Sequence, residues 1–181
     1  VRLSRGLGDV YKRQTYDELG ASEVAFHLKQ RGDSVGIGGQ VPRLENPSEQ
    51  LEIYRKLTKT IHEGIVRTAH DCSEGGLAVA LAEMCIGGRC GAIIDIDGIG
   101  PGDSFSRLWS ESLGRIVVSV ESEHELAFVE KMSGADLHLI GMVTDTPMLV
   151  IEDGYDTIIE TGVDDLTHSW KHALDMTGDV E

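Results

Sequence analysis

Residues 77–84 read Leu-Ala-Val-Ala-Leu-Ala-Glu-Met, with one charge among eight positions. That composition favours a helix and leaves almost no polar face, so the helix must be covered on more than one side. Just upstream, residues 65–69 (Ile-Val-Arg-Thr-Ala) read as a short buried strand, and His70-Asp71-Cys72-Ser73-Glu74-Gly75-Gly76 connects the two. The pattern predicts a helix over 73–86 with Ser73 as its N-cap, ended by Gly87 and Gly88.

The rest of the chain alternates in the same way. Ser22 is expected to cap a helix carrying Val24, Ala25 and Leu28, stopped at Gly32. A loop over 35–40 contains Gly36, Gly38 and Gly39, without the strand–loop–helix setting of a dinucleotide fingerprint. Asn46-Pro47-Ser48-Glu49 is a helix start with Asn46 as N-cap, and Leu51, Tyr54, Leu57, Thr58 and Ile61 follow as its apolar stripe. Strands are expected at 92–96 and 115–120, with a helical turn at 105–109 between them. Ser122-x-x-Glu125 reads as a capping box opening a helix with Leu126, Val129 and Met132 on its stripe. Two strands at 137–143 and 148–151, a weak one at 157–160 and a final helix bearing Val163, Leu166, Trp170 and Leu174 complete the chain. This order implies an α/β (α+β) domain with a mixed sheet and helices on its faces.

The 181 residues suffice for one domain with a real core; 40% are hydrophobic and 26% charged, and the net charge is −15 with a pI near 4.7. Such an acidic balance argues against nucleic acid or an anionic membrane as a partner, and no apolar run reaches the length of a membrane span. Cys72, Cys85 and Cys90 form no CxxC pair and no zinc spacing with histidine, a usage that suits a reducing cytosol, and Cys85 is expected on the buried face of its helix. Residues 1–14 (Val-Arg-Leu-Ser-Arg-Gly-Leu-Gly-Asp-Val-Tyr-Lys-Arg-Gln) are basic where the remainder is acidic, and they lack periodicity. They resemble a translated sequencing-adapter remnant and are set aside from the fold. The domain is expected over 15–176, with a polar tail over 177–181.

Two stretches could carry chemistry. At Asp71, Ser73, Glu74, Gly75 and Gly76, a helix N-terminus and two glycines could admit a phosphate, or Asp71 and Glu74 could hold magnesium; a tightly packed helix cap explains the same residues. Ser110, Glu111 and Ser112 could contact phosphate or an amine, or they could be a polar turn bonded to its own backbone. His70 reads as a hydrogen-bonding residue beside a strand end.

In combination these segments resemble a family. Residues 70–84 look like the HD-x-SEGGLAVALAE segment of the phosphoribosylformylglycinamidine synthase large subunit. Leu19-Gly20-Ala21-Ser22-Glu23 resembles its LGGSE motif, with Ala21 in place of a glycine. Trp109 to Arg115 resembles its FSES-x-x-R segment, Ile140 to Val143 its I-G-x-V strand, and residues 165–174 its terminal tryptophan helix. The resemblance spans residues 15–174. It implies a layered sandwich like the C-terminal domain of aminoimidazole ribonucleotide synthetase, partly ferredoxin-like. It also implies an ATP- and magnesium-dependent ligation of ammonia onto formylglycinamide ribonucleotide in purine biosynthesis, in the cytoplasm. The partners would be N-terminal domains of the same chain, a glutaminase subunit and a small accessory subunit. The family's catalytic residues lie mainly in earlier domains, so no catalytic or metal residue is assigned here. The eight residues named above are candidates for phosphate or nucleotide contact at a site that is degenerate in the second repeat of the family. Aminoimidazole ribonucleotide synthetase, selenophosphate synthetase and thiamine-monophosphate kinase are superfamily alternatives, and a purely structural or nucleotide-binding module is another.

Overall fold

The computed structural model describes residues 6–12, 16, 18–32, 39–44 and 46–173, with residues 6–12 described by their backbone alone. Thirteen elements follow along the described chain: β1 (Gly6–Lys12), α1 (Glu23–Gln30), α2 (Pro47–His62), β2 (Val66–Asp71), α3 (Gly76–Gly88), β3 (Gly91–Asp95), α4 (Ser104–Trp109), β4 (Ile116–Glu121), α5 (Glu125–Lys131), β5 (Asp136–Thr144), β6 (Met148–Asp153), β7 (Asp156–Gly162) and α6 (Val163–His172). The seven strands form one sheet in the order β2-β4-β1-β5-β3-β6-β7. Every pairing is antiparallel except β3 with β6. A mixed sheet with helices on both faces is the α/β layered arrangement expected from the sequence.

The two faces carry two cores. Leu77 and Leu81 of α3, Leu108 of α4 and Val163 of α6 pack with Val117, Ile140, Ile94, Leu149 and Ile151 on one side. Leu57 of α2, Phe128 of α5 and Met132 just after α5 pack with Val66, Val118 and Val120 on the other. Adjacent Val117 and Val118 therefore serve opposite cores, as the two-residue period of a strand requires. Burying Leu77 and Leu81 contributes about 1.5–3 kcal/mol each.

Several local expectations are corrected. The start of α3 is Gly76 rather than Ser73, because Gly75 and Gly76 both take left-handed backbone conformations that cannot continue a right-handed helix. Asn46 precedes α2 but makes no side-chain cap bond, and α5 begins after a turn with His124, not Ser122, at its cap. On α2 the buried residues are Gln50, Leu57 and Thr60, while Leu51, Tyr54 and Ile61 are exposed. Phe128 on α5 and Met132 at its C-terminal cap are buried, whereas Leu126 is 85% exposed and Val129 is exposed too. Trp170 on α6 is also exposed. Ser22 caps α1 as expected, its hydroxyl accepting from the Ala25 N–H at 3.3 Å. The loop glycines Gly36 and Gly38, Leu174 and the tail 177–181 lie outside the described residues.

Although residues 1–14 are set aside in the sequence reading, Gly6–Lys12 lies in the middle of the sheet, paired with β4 and β5. Ladder pairing uses backbone groups that every non-proline residue carries, so an extended segment of almost any composition can take such a place.

Candidate functional site

Three segments far apart in sequence meet at the N-terminal end of α3. Glu111, in the turn after α4, is the meeting point. Its Oε1 accepts from the N–H of Glu23 at the start of α1 (2.9 Å) and from the N–H of Gly75 before α3 (2.9 Å). The ends of two helices thus direct their unpaired N–H groups, and the positive ends of their dipoles, at one carboxylate. On either side of Glu111 the buried Ser110 and Ser112 hold the backbone of Tyr16: the Ser110 hydroxyl donates to the Tyr16 carbonyl (2.9 Å), and the Tyr16 N–H donates to Ser112 Oγ (3.4 Å).

The glycines of the turn are explained by sterics. Gly76 has φ +65°, and a Cβ there would stand 2.6 Å from the carbonyl oxygens of both Leu108 and Ser110. Gly75 has φ +76°, and a Cβ would run into the Val79 side chain. Only glycine lets α3 enter this close to the end of α4.

Beneath the turn lies a buried charge. Arg115 donates to the carbonyls of Ser110 and of Arg107, the latter at 3.3 Å, and its own carbonyl accepts from the Cys72 N–H at 2.9 Å. Burial lowers the guanidinium's pKa, while the nearby Glu18 carboxylate opposes that shift. Glu18 is itself buried and accepts from the Arg43 N–H at 3.3 Å. Cys72, buried beside Arg115, has its thiol pushed up to about 11 by desolvation, and Cys85 in α3 is pushed up to about 12 for the same reason. Neither is poised as a thiolate nucleophile.

The outer rim is exposed. Asp71, Ser73 and Glu74 face solvent, and the Ser73 hydroxyl donates to Asp71 Oδ2, which holds that carboxyl below its ordinary range. His70 places Nδ1 2.7 Å from the Asp71 carbonyl and Nε2 3.0 Å from Glu83 of α3. All eight candidate residues therefore fall in one region, in two layers. Ser110, Glu111, Ser112, Gly75 and Gly76 bind or accommodate the chain's own backbone. Asp71, Ser73 and Glu74 form the accessible edge. Among the described residues, the group of three potential metal ligands that converges is Glu121, Glu123 and His124, at the end of β4 and outside this region. The roles of Glu18, Arg115 and the Tyr16 backbone were not legible beforehand; the one signal was an arginine directly before the apolar run of β4.

Comparison with known proteins follows this geometry. The family described as AIR synthase related protein, C-terminal domain, matches residues 17–154. A relative from Nostoc sp. (strain PCC 7120), phosphoribosylformylglycinamidine synthase subunit PurL, is 32% identical across 94% of this chain, which spans 22% of that relative's length. Thermotoga maritima PurL complexed with FGAR superposes with a TM-score of 0.74 at 19% identity, over 91% of this chain and 28% of that one. The same protein complexed with ATP gives 0.70 at 17% identity, over 92% of this chain and 26% of that one. The structural likenesses establish a shared fold, and the family match covers most of the chain: it belongs to the AIR synthase related protein family, as a C-terminal domain.

Proposed function

We propose that this chain is the C-terminal domain of the synthetase subunit of phosphoribosylformylglycinamidine synthase, a ligase of purine biosynthesis. The whole enzyme uses ATP to activate the amide oxygen of formylglycinamide ribonucleotide, and ammonia from a glutaminase subunit then displaces phosphate to give the amidine. The observation that carries this reading is the convergence of the Leu19–Glu23, His70–Gly76 and Trp109–Arg115 segments on Glu111. Those are the segments whose sequences resemble the family. In this reading residues 1–14 are a non-native remnant, the missing N-terminal domains carry the catalytic groups, and a glutaminase and a small accessory subunit complete a cytoplasmic complex. The isolated chain does not turn over.

Magnesium would neutralise charge on the ATP phosphates. The carboxylates of this chain suited to such a cation are Asp71, which its Ser73 hydrogen bond favours in the ionised form, and Glu74, both exposed at the α3 turn. Glu111 is less suited, because its Oε1 already accepts two backbone N–H groups.

The engagement of Ser110, Glu111 and Ser112 with backbone favours a second reading, in which the region is a scaffold that joins α1, α3 and α4 and binds no nucleotide. Calorimetric titration of the chain with ATP and magnesium separates the two: saturable heat supports a live nucleotide site, and none supports the scaffold. The enzyme reading is tested by a long sequencing read through the codons for Gln14 and Thr15 in the source DNA. An open frame continuing upstream into ATP-binding domains is expected, and the enzyme expressed from it makes formylglycinamidine ribonucleotide from ATP and ammonia. A start codon of its own before residue 1 would replace the enzyme reading with a free-standing module.

A further inference from the structure

The C-terminal end of α3 brings two of the three cysteines together. The Cys90 N–H donates to the Cys85 carbonyl at 3.3 Å, and the Arg89 N–H donates to the Ile86 carbonyl at 3.4 Å. Arg89 itself takes a left-handed conformation, with φ +50°. Two such bonds around one left-handed residue make the Schellman helix stop, in which the side chains at the ends of the outer bond commonly meet. Here those ends are Cys85 and Cys90. The outer bond also holds their Cα atoms no more than about 7 Å apart, the range a disulfide spans.

Two glycines fix where the second thiol lies. Gly88 follows Cys85 by three residues, on the same side of α3, and a Cβ there would stand 2.8 Å from Cys90 Sγ. The Cys90 thiol is thus folded back over the last turn of the helix, where a side chain at position 88 would otherwise sit. Gly91 is wedged against the turn between β5 and β6, because a Cβ there would collide with the carbonyl oxygens of Thr146 and Met148. The backbone is therefore held on both sides of Cys90. The two thiols differ in access: Cys85 is buried in the α3 core, whereas Cys90 is half-buried. Burial pushes the Cys85 thiol up to about 12, with Cys90 adding to the shift, and burial and then Asp145 raise the Cys90 thiol too. Both stay protonated at neutral pH, so exchange is slow and begins at the accessible member.

We infer that Cys85 and Cys90 are a dithiol–disulfide pair that fastens the C-terminal stop of α3 when a small-molecule disulfide serves as oxidant. Cys90 loses its proton to solvent and its sulfur attacks one sulfur of the oxidant. The oxidant's S–S bond breaks, and the released thiolate takes up a proton. Cys85 then loses its proton and attacks the Cys90 sulfur; the Cys85–Cys90 bond forms, and the second thiolate leaves and is protonated. Two protein thiols are oxidised, and one external disulfide is reduced to two thiols. Excess external thiol reverses both steps. Cys72 takes no part, since it lies before the opposite end of α3.

The test uses the full 181-residue chain, equilibrated in buffers of reduced and oxidised glutathione, folded and in concentrated urea. Samples are acid-quenched, blocked with N-ethylmaleimide and digested with trypsin without reductant. Cleavage after Arg67, Arg89 and Arg107 puts Cys85 in the peptide 68–89 and Cys90 in the peptide 90–107, so the disulfide appears as a linked peptide pair. The linked pair is expected in the original chain and in Cys72→Ala, and is expected to be lost in Cys85→Ala and in Cys90→Ala. Half-formation in the folded chain should need on the order of tenfold less oxidised glutathione than in urea, because the fold holds the thiols together. A glutathione adduct on Cys90 that never closes, a link that disappears in Cys72→Ala, or equal midpoints in the folded and unfolded chain would overturn the inference.

Discussion

Ala21 shows how a single residue carries both a family trace and a physical cost. It has φ +60°, in the left-handed region, immediately before the capping residue Ser22, and its side chain is exposed. A β-carbon is strained in that conformation, and the related motif has glycine at this place. Ala21→Gly should therefore stabilise the chain by about 1 kcal/mol, seen as a higher urea midpoint at unchanged slope; a loss of stability would show that the strain is not there. Asp71 supplies a dependence on acid. Its hydrogen bond from Ser73 depresses the folded-state pKa below the ordinary 3.8, so the stability it adds is present above that value and is lost as pH falls through the folded pKa. Urea midpoints recorded downward from pH 6 should fall less steeply for Ser73→Ala than for the original chain, and parallel curves would exclude a role for this bond. The residue types at the candidate site were legible in the sequence. What each does was not: Ser110 and Ser112 look like exposed hydrogen-bonding groups until the fold brings the Tyr16 backbone between them.

Elements were more legible than their orientation. The strands and helices expected after residue 15 are present in order, because periodicity and glycine punctuation are local properties. Which side of a helix is buried is not local. On α2 the stripe Gln50, Ile53, Leu57 and Thr60 lies one residue out of step with the stripe Leu51, Tyr54, Thr58 and Ile61, about 100° round the helix, and both carry apolar residues. Packing against α5 and β2 selects the first. Gln50 is buried there because its side-chain amide donates to the carbonyl of Gly114 at 3.4 Å. The choice can be checked with one pair of variants: Leu57→Ala, at 4% exposure, should cost about 2–4 kcal/mol in urea unfolding, while Leu51→Ala, at 48%, should cost less than about 1 kcal/mol. Equal losses would mean α2 is turned the other way. The Ser122 capping box was misplaced for a related reason: α5 must present Phe128 to the core, with Met132 just past its end, and it starts where that facing requires, past Ser122.

Taken whole, the molecule carries a net charge of −15, and among the described residues every carboxylate side chain except Glu18 is at least partly exposed. Like charges repel across a compact surface, and added salt shortens the reach of that repulsion from about 30 Å at 0.01 M to below about 8 Å beyond 0.15 M. The Tm should accordingly rise as sodium chloride is increased over this range, and a falling Tm would show that attractive ion pairs such as Arg107 with Asp153, 2.8 Å apart, dominate instead. The layered α/β class was legible because near-continuous apolar character over residues 77–84 demands cover from two sides. Strand order was not, since pairing partners lie far apart in sequence. That order also has a consequence for synthesis. Of the seven strands of this sheet β1 comes first in the chain, yet its two neighbours in the sheet, β4 and β5, begin only at Ile116 and Asp136. At roughly 5–20 residues per second, any segment placed ahead of Tyr16 spends seconds unpaired before its slot exists, while the hairpin of β6 and β7 closes within a few residues of being made. The centre of the sheet is thus its oldest strand and one of the last to be paired, and chaperones have that interval in which to act on it.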